Sequence, residues 1–117
     1  MPEFEFEGRR FRNPVELALD VIGGKWKMPI LWRLAKRTWR YNELRRDLAG
    51  ISHKMLTQQL RELEHHGLIV RTVHPVVPPH VDYALAPLGR TTVPIIESLR
   101  EWGTMFRTKR AKQGRSA

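Results

Sequence analysis

The chain has 117 residues and a mass of 13.8 kDa, enough for one domain with its own core and too little for a large multi-domain catalytic architecture. Lys and Arg number 21 against 12 Asp and Glu, a formal net charge of +9, which makes a polyanionic partner the leading expectation. A hydrophobic content of 41% excludes a wholly disordered basic tail, and the lack of cysteine excludes disulfides, Cys-ligated zinc and thiol redox chemistry.

The first twelve residues, MPEFEFEGRRFR, carry no long apolar run of the signal-peptide kind and are expected to form an arm. Asn13-Pro14-Val15-Glu16 then reads as a helix start: Asn as N-cap, Pro in the first turn and Glu positioned for a capping box. Val15, Leu19 and Ile22 recur at helical spacing before Gly23-Gly24 ends the run. A second helix is expected from about Lys25 or Trp26 to Ala35, with Ile30, Leu31 and Leu34 inward. Pro29 is awkward there and shifts the expected start toward Lys27. Asn42 reads as the cap of a short third helix holding Leu44 and Leu48.

After Ala49-Gly50-Ile51, Ser52 caps a fourth helix that runs to His66 and stops at Gly67. On a helical wheel Leu56, Leu60 and Leu63 share one narrow sector, while Lys54, Thr57, Gln58, Arg61 and His65 point away from it. β-branched and aromatic residues at Ile69–Val73 and Val81–Leu85 then predict a hairpin with a proline-bearing tip at 75–80. A last helix is expected from Pro87 through Ile96, Leu99 and Trp102 to Phe106, bent at Pro94. The basic end, 107–117, is expected to be disordered.

The positive charge has an address. Between residues 25 and 54 lie nine basic side chains (Lys25, Lys27, Arg33, Lys36, Arg37, Arg40, Arg45, Arg46 and Lys54) and two acidic ones. The end 107–117 adds five more basic side chains and no acid.

A short helix, a glycine-containing turn, a helix with a polar outward face and a hairpin make the layout of a winged helix-turn-helix, an α+β and mainly α fold. The major groove of B-DNA admits one helix, whose outward side chains must offer donors and acceptors to base edges. Gln58 suits adenine, Arg61 and Lys54 suit guanine, and Thr57 suits a phosphate or a thymine methyl. Ser52 and His53 complete the expected base-reading set at the helix start, where the helix end favours a phosphate. Lys25, Arg40, Arg45, Arg46, Arg71 and His80 are the expected contacts to the DNA backbone.

Residues 13–103 resemble the HxlR-type winged helix-turn-helix regulators of bacteria and archaea, relatives of the MarR group. The resemblance rests on NPVELALDVIGGKWKMPILWRL (13–34), RYNELRRDLAGISHKMLTQQLRELEHHGLIVR (40–71), VVPPHVDYALAPLGR (76–90) and SLREWG (98–103). It implies a homodimer on operator DNA, most often a repressor, with helix 52–66 in the major groove, the 69–85 hairpin as wing and a long C-terminal dimerisation helix. The dimer surface is then expected at Phe4, Phe6, Phe11, Val15, Leu19, Ile96, Leu99, Trp102 and Phe106. Asn13 stands where the family often has a cysteine, which in some members senses oxidants or electrophiles, and Ala86 where a Thr commonly starts the last helix.

Other chemistries find little support. Glu62 and Glu64 project to nearly opposite sides of their helix, Asp82 lies in a strand, and GGKWK lacks the spacing of a phosphate-binding loop. Adjacent His65 and His66 make a poor metal pair, and His53, His74 and His80 flank the reading helix and wing without Cys ligands. Trp26, Trp32, Trp39 and Trp102 read as core or dimer contacts. The sequence thus predicts a cytoplasmic protein with no cofactor, no metal and no membrane partner. Operator duplex DNA and a second copy of the chain are the expected partners, and a small-molecule effector is the remaining class. The rival readings are a winged-helix interaction scaffold and a non-specific coat for nucleic acid.

Overall fold

The computed structural model describes residues 2–116, with side chains described through residue 114. In chain order the elements are β1 (Phe4–Phe6), β2 (Arg9–Phe11), α1 (Pro14–Ile22), α2 (Lys27–Leu34), β3 (Trp39–Arg40) and α3 (Tyr41–Asp47). They continue with α4 (His53–His65), β4 (Ile69–His74), β5 (His80–Leu85), α5 (Pro87–Arg90) and α6 (Val93–Ser116). A three-stranded antiparallel sheet has the order β3-β5-β4, with β3 contributed from between α2 and α3, and β1-β2 form a separate hairpin.

The start of α1 follows its sequence: the Asn13 carboxamide oxygen accepts from the Glu16 amide at 2.9 Å. Glu16 does not return the bond to the cap; its carboxylate lies 3.7 Å from Arg12 instead. In α2, Pro29 sits in the first turn, where an amide would have no intrahelical acceptor. The first i to i−4 bond runs from the Ile30 amide to the Trp26 carbonyl. The proline therefore costs no intrahelical hydrogen bond, and the helix starts at Lys27.

At α3 the expected cap is displaced by two residues. Arg40, extended because it pairs with Asp82 across β3 and β5, is the N-cap, and Asn42 lies inside the helix. The Glu43 carboxylate accepts from the Arg40 amide at 2.8 Å and satisfies the orphan donor. That bond, and then the Arg37 guanidinium beside it, hold the Glu43 carboxyl below the usual carboxylate range.

The turn into α4 passes through Gly50 at φ +87, a left-handed conformation that favours glycine. Ser52 then caps α4, its hydroxyl accepting from the Met55 amide at 3.0 Å. At the other end Gly67 is left-handed, its amide reaches the Glu64 carbonyl, and the Leu68 amide reaches the Leu63 carbonyl. This paired arrangement closes the helix and turns the chain directly into β4.

The core is one cluster. Leu56, Leu60 and Leu63 of α4 meet Ile30, Leu31 and Leu34 of α2, Leu44 of α3, Tyr83 and Leu85 of β5, and Ile96 of α6. Burial pushes the Tyr83 phenol above its ordinary pKa.

Three expectations change at the chain ends. The N-terminal residues form a hairpin on their own protomer: Phe11 is 3% exposed and stacks on Phe4, and Arg9 pairs with Asp20 of α1 at 2.9 Å. The last helix divides at Thr91-Thr92, where both hydroxyls turn back to carbonyls of α5. Pro94 therefore falls in the first turn of a new helix and bends nothing. Finally, α6 continues through Ser116, so the basic segment expected to be disordered is helical over 107–116.

Close packing fixes the division. A Cβ on Gly89 would lie 2.0 Å from the Leu68 carbonyl oxygen, so α5 meets the α4–β4 junction where no side chain fits.

Candidate nucleic-acid interface

Burying the leucine edge of α4 leaves its opposite edge in solvent. Ser52, His53, Lys54, Gln58 and Arg61 are exposed, and Thr57 is half-buried. His53, Lys54, Thr57, Gln58, Arg61 and Glu62 line one shallow depression. Five of the six expected base-reading residues therefore share one surface hollow, with Ser52 capping the helix beside them.

Two of the lining residues have a partner that sequence reasoning missed. The Tyr41 hydroxyl, at the start of α3, bonds to His53 Nδ1 and to Thr57 Oγ1, the latter at 3.2 Å. Thr57 and His53 are thus tied to the preceding helix α3. Tyr41, one residue before the expected cap Asn42, gave no sequence signal for this role, because the contact to Thr57 spans 16 positions.

Lys27 is a second omission. Although counted among the cationic block, it is 8% exposed and pairs with Glu62 of α4 at 3.0 Å. The pair joins α2 to α4 and neutralises a carboxylate beside the exposed face. Replacing Glu62 by Gln leaves the Lys27 ammonium buried without its counter-charge. We expect a loss of about 1–3 kcal/mol in urea unfolding, with no change in slope.

The remaining cations divide into two groups. Arg33 pairs with Asp47 at 2.6 Å and Arg37 with Glu43 at 3.3 Å. Lys25 and Lys36 lie over the Trp26 and Trp32 rings, and Arg37 also over Trp39. Among the described residues, Arg40, Arg45, Arg46, Lys54 and Arg61 have no carboxylate partner within ion-pair distance. All five are exposed and carried by β3, α3 and α4.

On the wing, the expected backbone contacts have partners within the chain. Arg71 is paired across the sheet with Tyr83 and turns its guanidinium to Glu64 of α4 at 3.4 Å. His80 is half-buried and stacks on His74 with ring centroids 4.5 Å apart. Residues 72–82 contain no Lys or Arg. The hairpin therefore offers the backbone no permanent cation beyond Arg71.

The expected dimer residues also separate. Phe11 and Ile96 are buried within the protomer, and Phe4 is half-buried. Phe6, Val15, Leu19, Leu99, Trp102 and Phe106 are exposed, Val15 to 62% and Trp102 to 58%. Every residue from Glu97 to Gly114 is exposed. Consistent with a projecting helix, the radius of gyration is 17.2 Å, against about 13 Å for a compact chain of this length.

Two packed helices joined by a tight turn, with the second leading into a three-stranded sheet, define a winged helix-turn-helix. Within that class the chain belongs to the HxlR-like helix-turn-helix family, which matches residues 21–111. It is 44% identical over 103 residues to an HTH-type transcriptional regulator of Methanothermobacter thermautotrophicus, covering 88% of this chain and 79% of that one. Among solved structures it is similar to the redox regulator HypR in its reduced form, with 47% identity, a TM-score of 0.77, and coverage of 81% and 94% of the two chains. A MarR-family transcriptional regulator from Porphyromonas gingivalis is 41% identical, with a TM-score of 0.74 over 78% of this chain and 89% of that one. The chain is accordingly a transcriptional regulator of the helix-turn-helix type. Among the described residues no helix is long and apolar enough to cross a membrane.

Proposed function

We propose that the protein is a homodimeric, sequence-specific DNA-binding regulator, acting as a repressor, that reads the major groove with α4. The observation that carries this reading is the exposed edge of α4, where Lys54, Gln58 and Arg61 stand free of carboxylate partners on a helix anchored by three buried leucines. Arg40, Arg45 and Arg46 supply the grip on phosphates, and Lys25 and Ser52 extend it at either side. Arg71 joins them only by leaving Glu64, and His80 only by leaving its neighbours on the wing. Thr57 and His53 act chiefly through Tyr41, holding α4 at its reading angle, and offer their remaining edges to the duplex.

The second copy is supported by α6. Arg100 lies over the Trp32 ring of α2, but around it Leu99, Trp102, Met105 and Phe106 stay exposed on the protomer, so the outer half of α6 gains little tertiary packing. Pairing those turns with a symmetry mate, and with the exposed Val15 and Leu19 of α1, supplies it. The recess between α2 and α6, lined by Met28, Pro29, Trp32, Ile96 and Leu99, is where a small apolar effector would couple to that pairing. With no cysteine in the chain, sensing by its own thiol has no chemical basis. In this reading the protein acts as a regulator and not as an enzyme.

The test compares Gln58→Ala with Arg45→Ala on specific and scrambled DNA by fluorescence anisotropy. Gln58→Ala is expected to lose about 1–3 kcal/mol on the specific duplex and little on the scrambled one. Arg45→Ala should weaken both alike and flatten the dependence on salt. Equal losses on both duplexes for Gln58→Ala would remove that side chain from the reading set.

A further inference from the structure

We infer that the wing carries a binding site for a divalent transition-metal ion of the zinc type, formed by His74, His80 and Asp82. In the hairpin register His74 lies directly opposite His80, and Asp82 follows two residues later, so all three side chains rise from the same face of the sheet. Two imidazoles and one carboxylate are the ligand chemistry of a three-ligand zinc site with a fourth position left for water.

The distances are already close to those required. His74 Nε2 lies 2.8 Å from Asp82 Oδ2, and His80 Nε2 lies 3.9 Å from Asp82 Oδ1. The three ligand atoms fall within 4.8 Å of one another. Ligands around a tetrahedral zinc are about 3.3–3.5 Å apart, so closure on an ion needs side-chain movement on the order of an ångström. The three residues are half-buried, which leaves an entry path while the paired strands hold their backbones fixed.

Such an ion would staple β4 to β5 next to the turn at 75–79. Over residues 72–82 the only formal charge is that of Asp82, so a bound dication turns a local −1 into +1. If the DNA-binding reading holds, on which this consequence alone rests, the wing acquires the cation that its own residues lack.

One other cluster among the described residues, Glu7 with His65 and His66, offers comparable donors. It is built on a turn and on adjacent helical residues rather than on paired strands, and it supplies the control. The test needs no DNA. Tag-free protein is titrated with Zn²⁺ by calorimetry, and its melting temperature is followed with Zn²⁺ or Mg²⁺ present. One Zn²⁺ per chain is expected, with a rise in melting temperature that Mg²⁺, which prefers oxygen ligands, does not reproduce. His80→Ala and Asp82→Asn should each weaken binding by about tenfold or more and abolish the thermal shift, while His65→Ala leaves both unchanged. Absence of Zn²⁺ binding, or binding that survives in His80→Ala and is lost in His65→Ala, overturns the assignment. Far-UV circular dichroism of each metal-free variant separates loss of the site from loss of the fold.

Discussion

Leu56→Ala is expected to destabilise the protein by about 2–5 kcal/mol, read as a fall in the urea midpoint at unchanged slope. Leu56 is fully buried, as are Leu44, Ile30 and Leu31, so the truncated side chain leaves a cavity that rigid neighbours on α2 and α3 cannot fill. For a domain of this size the loss is a large part of its total stability. The same leucine lies one turn after the Ser52 cap and behind the edge that carries His53 and Thr57. Its removal therefore loosens the Tyr41 contacts as well, and DNA affinity should fall even at temperatures where the variant remains folded. Gln58→Ala, on the opposite edge of the same helix, should change stability by no more than about 0.5 kcal/mol. Similar losses for the two variants would mean that α4 is not oriented as described.

Leu99→Glu is expected to convert the proposed dimer to monomer at micromolar concentration, measured by analytical ultracentrifugation. Leu99 is exposed on the protomer, so the added carboxylate costs the monomer little; in the proposed α6 pairing it would place charge in an apolar contact. Trp102 and Phe106, stacked with centroids 5.1 Å apart one turn beyond, would lose their partner surface too. Helical signal should fall in the variant, since the outer turns of α6 are exposed on the protomer. A dimer gains affinity from two linked half-sites, so the loss on operator DNA should be on the order of 100-fold or more. A variant that stays dimeric with unchanged helicity would place the interface elsewhere.

Much of this arrangement can be read from the sequence, and the exceptions have physical causes. Helix α4 is legible at both ends because each signal is local: a serine cap, a leucine period and a left-handed glycine. The hairpin is legible from its β-branched runs, to within one residue at each strand. The α3 cap is not, because Arg40 owes its extended backbone to pairing with Asp82, 42 positions away. Lys27 reads as surface charge for the same reason, since Glu62 is distant in sequence and adjacent in space. Arg71 has the composition of a phosphate ligand, yet its strand parity turns it toward α4. At the C-terminal end, composition pointed to disorder while α6 carried the helix onward from a well-packed start at Ile96.

The sharpest test of the whole account is binding of the wild-type protein to duplex DNA from upstream of its own gene, set against scrambled duplex, at two salt concentrations by fluorescence anisotropy. Preferential binding to the upstream duplex should persist at both concentrations, with affinity for each duplex falling as salt rises. Equal affinity for the two duplexes would contradict sequence reading by α4 and favour a general coat for nucleic acid. Absence of binding to either at low salt would contradict DNA recognition altogether and leave the winged fold as a scaffold for protein contacts.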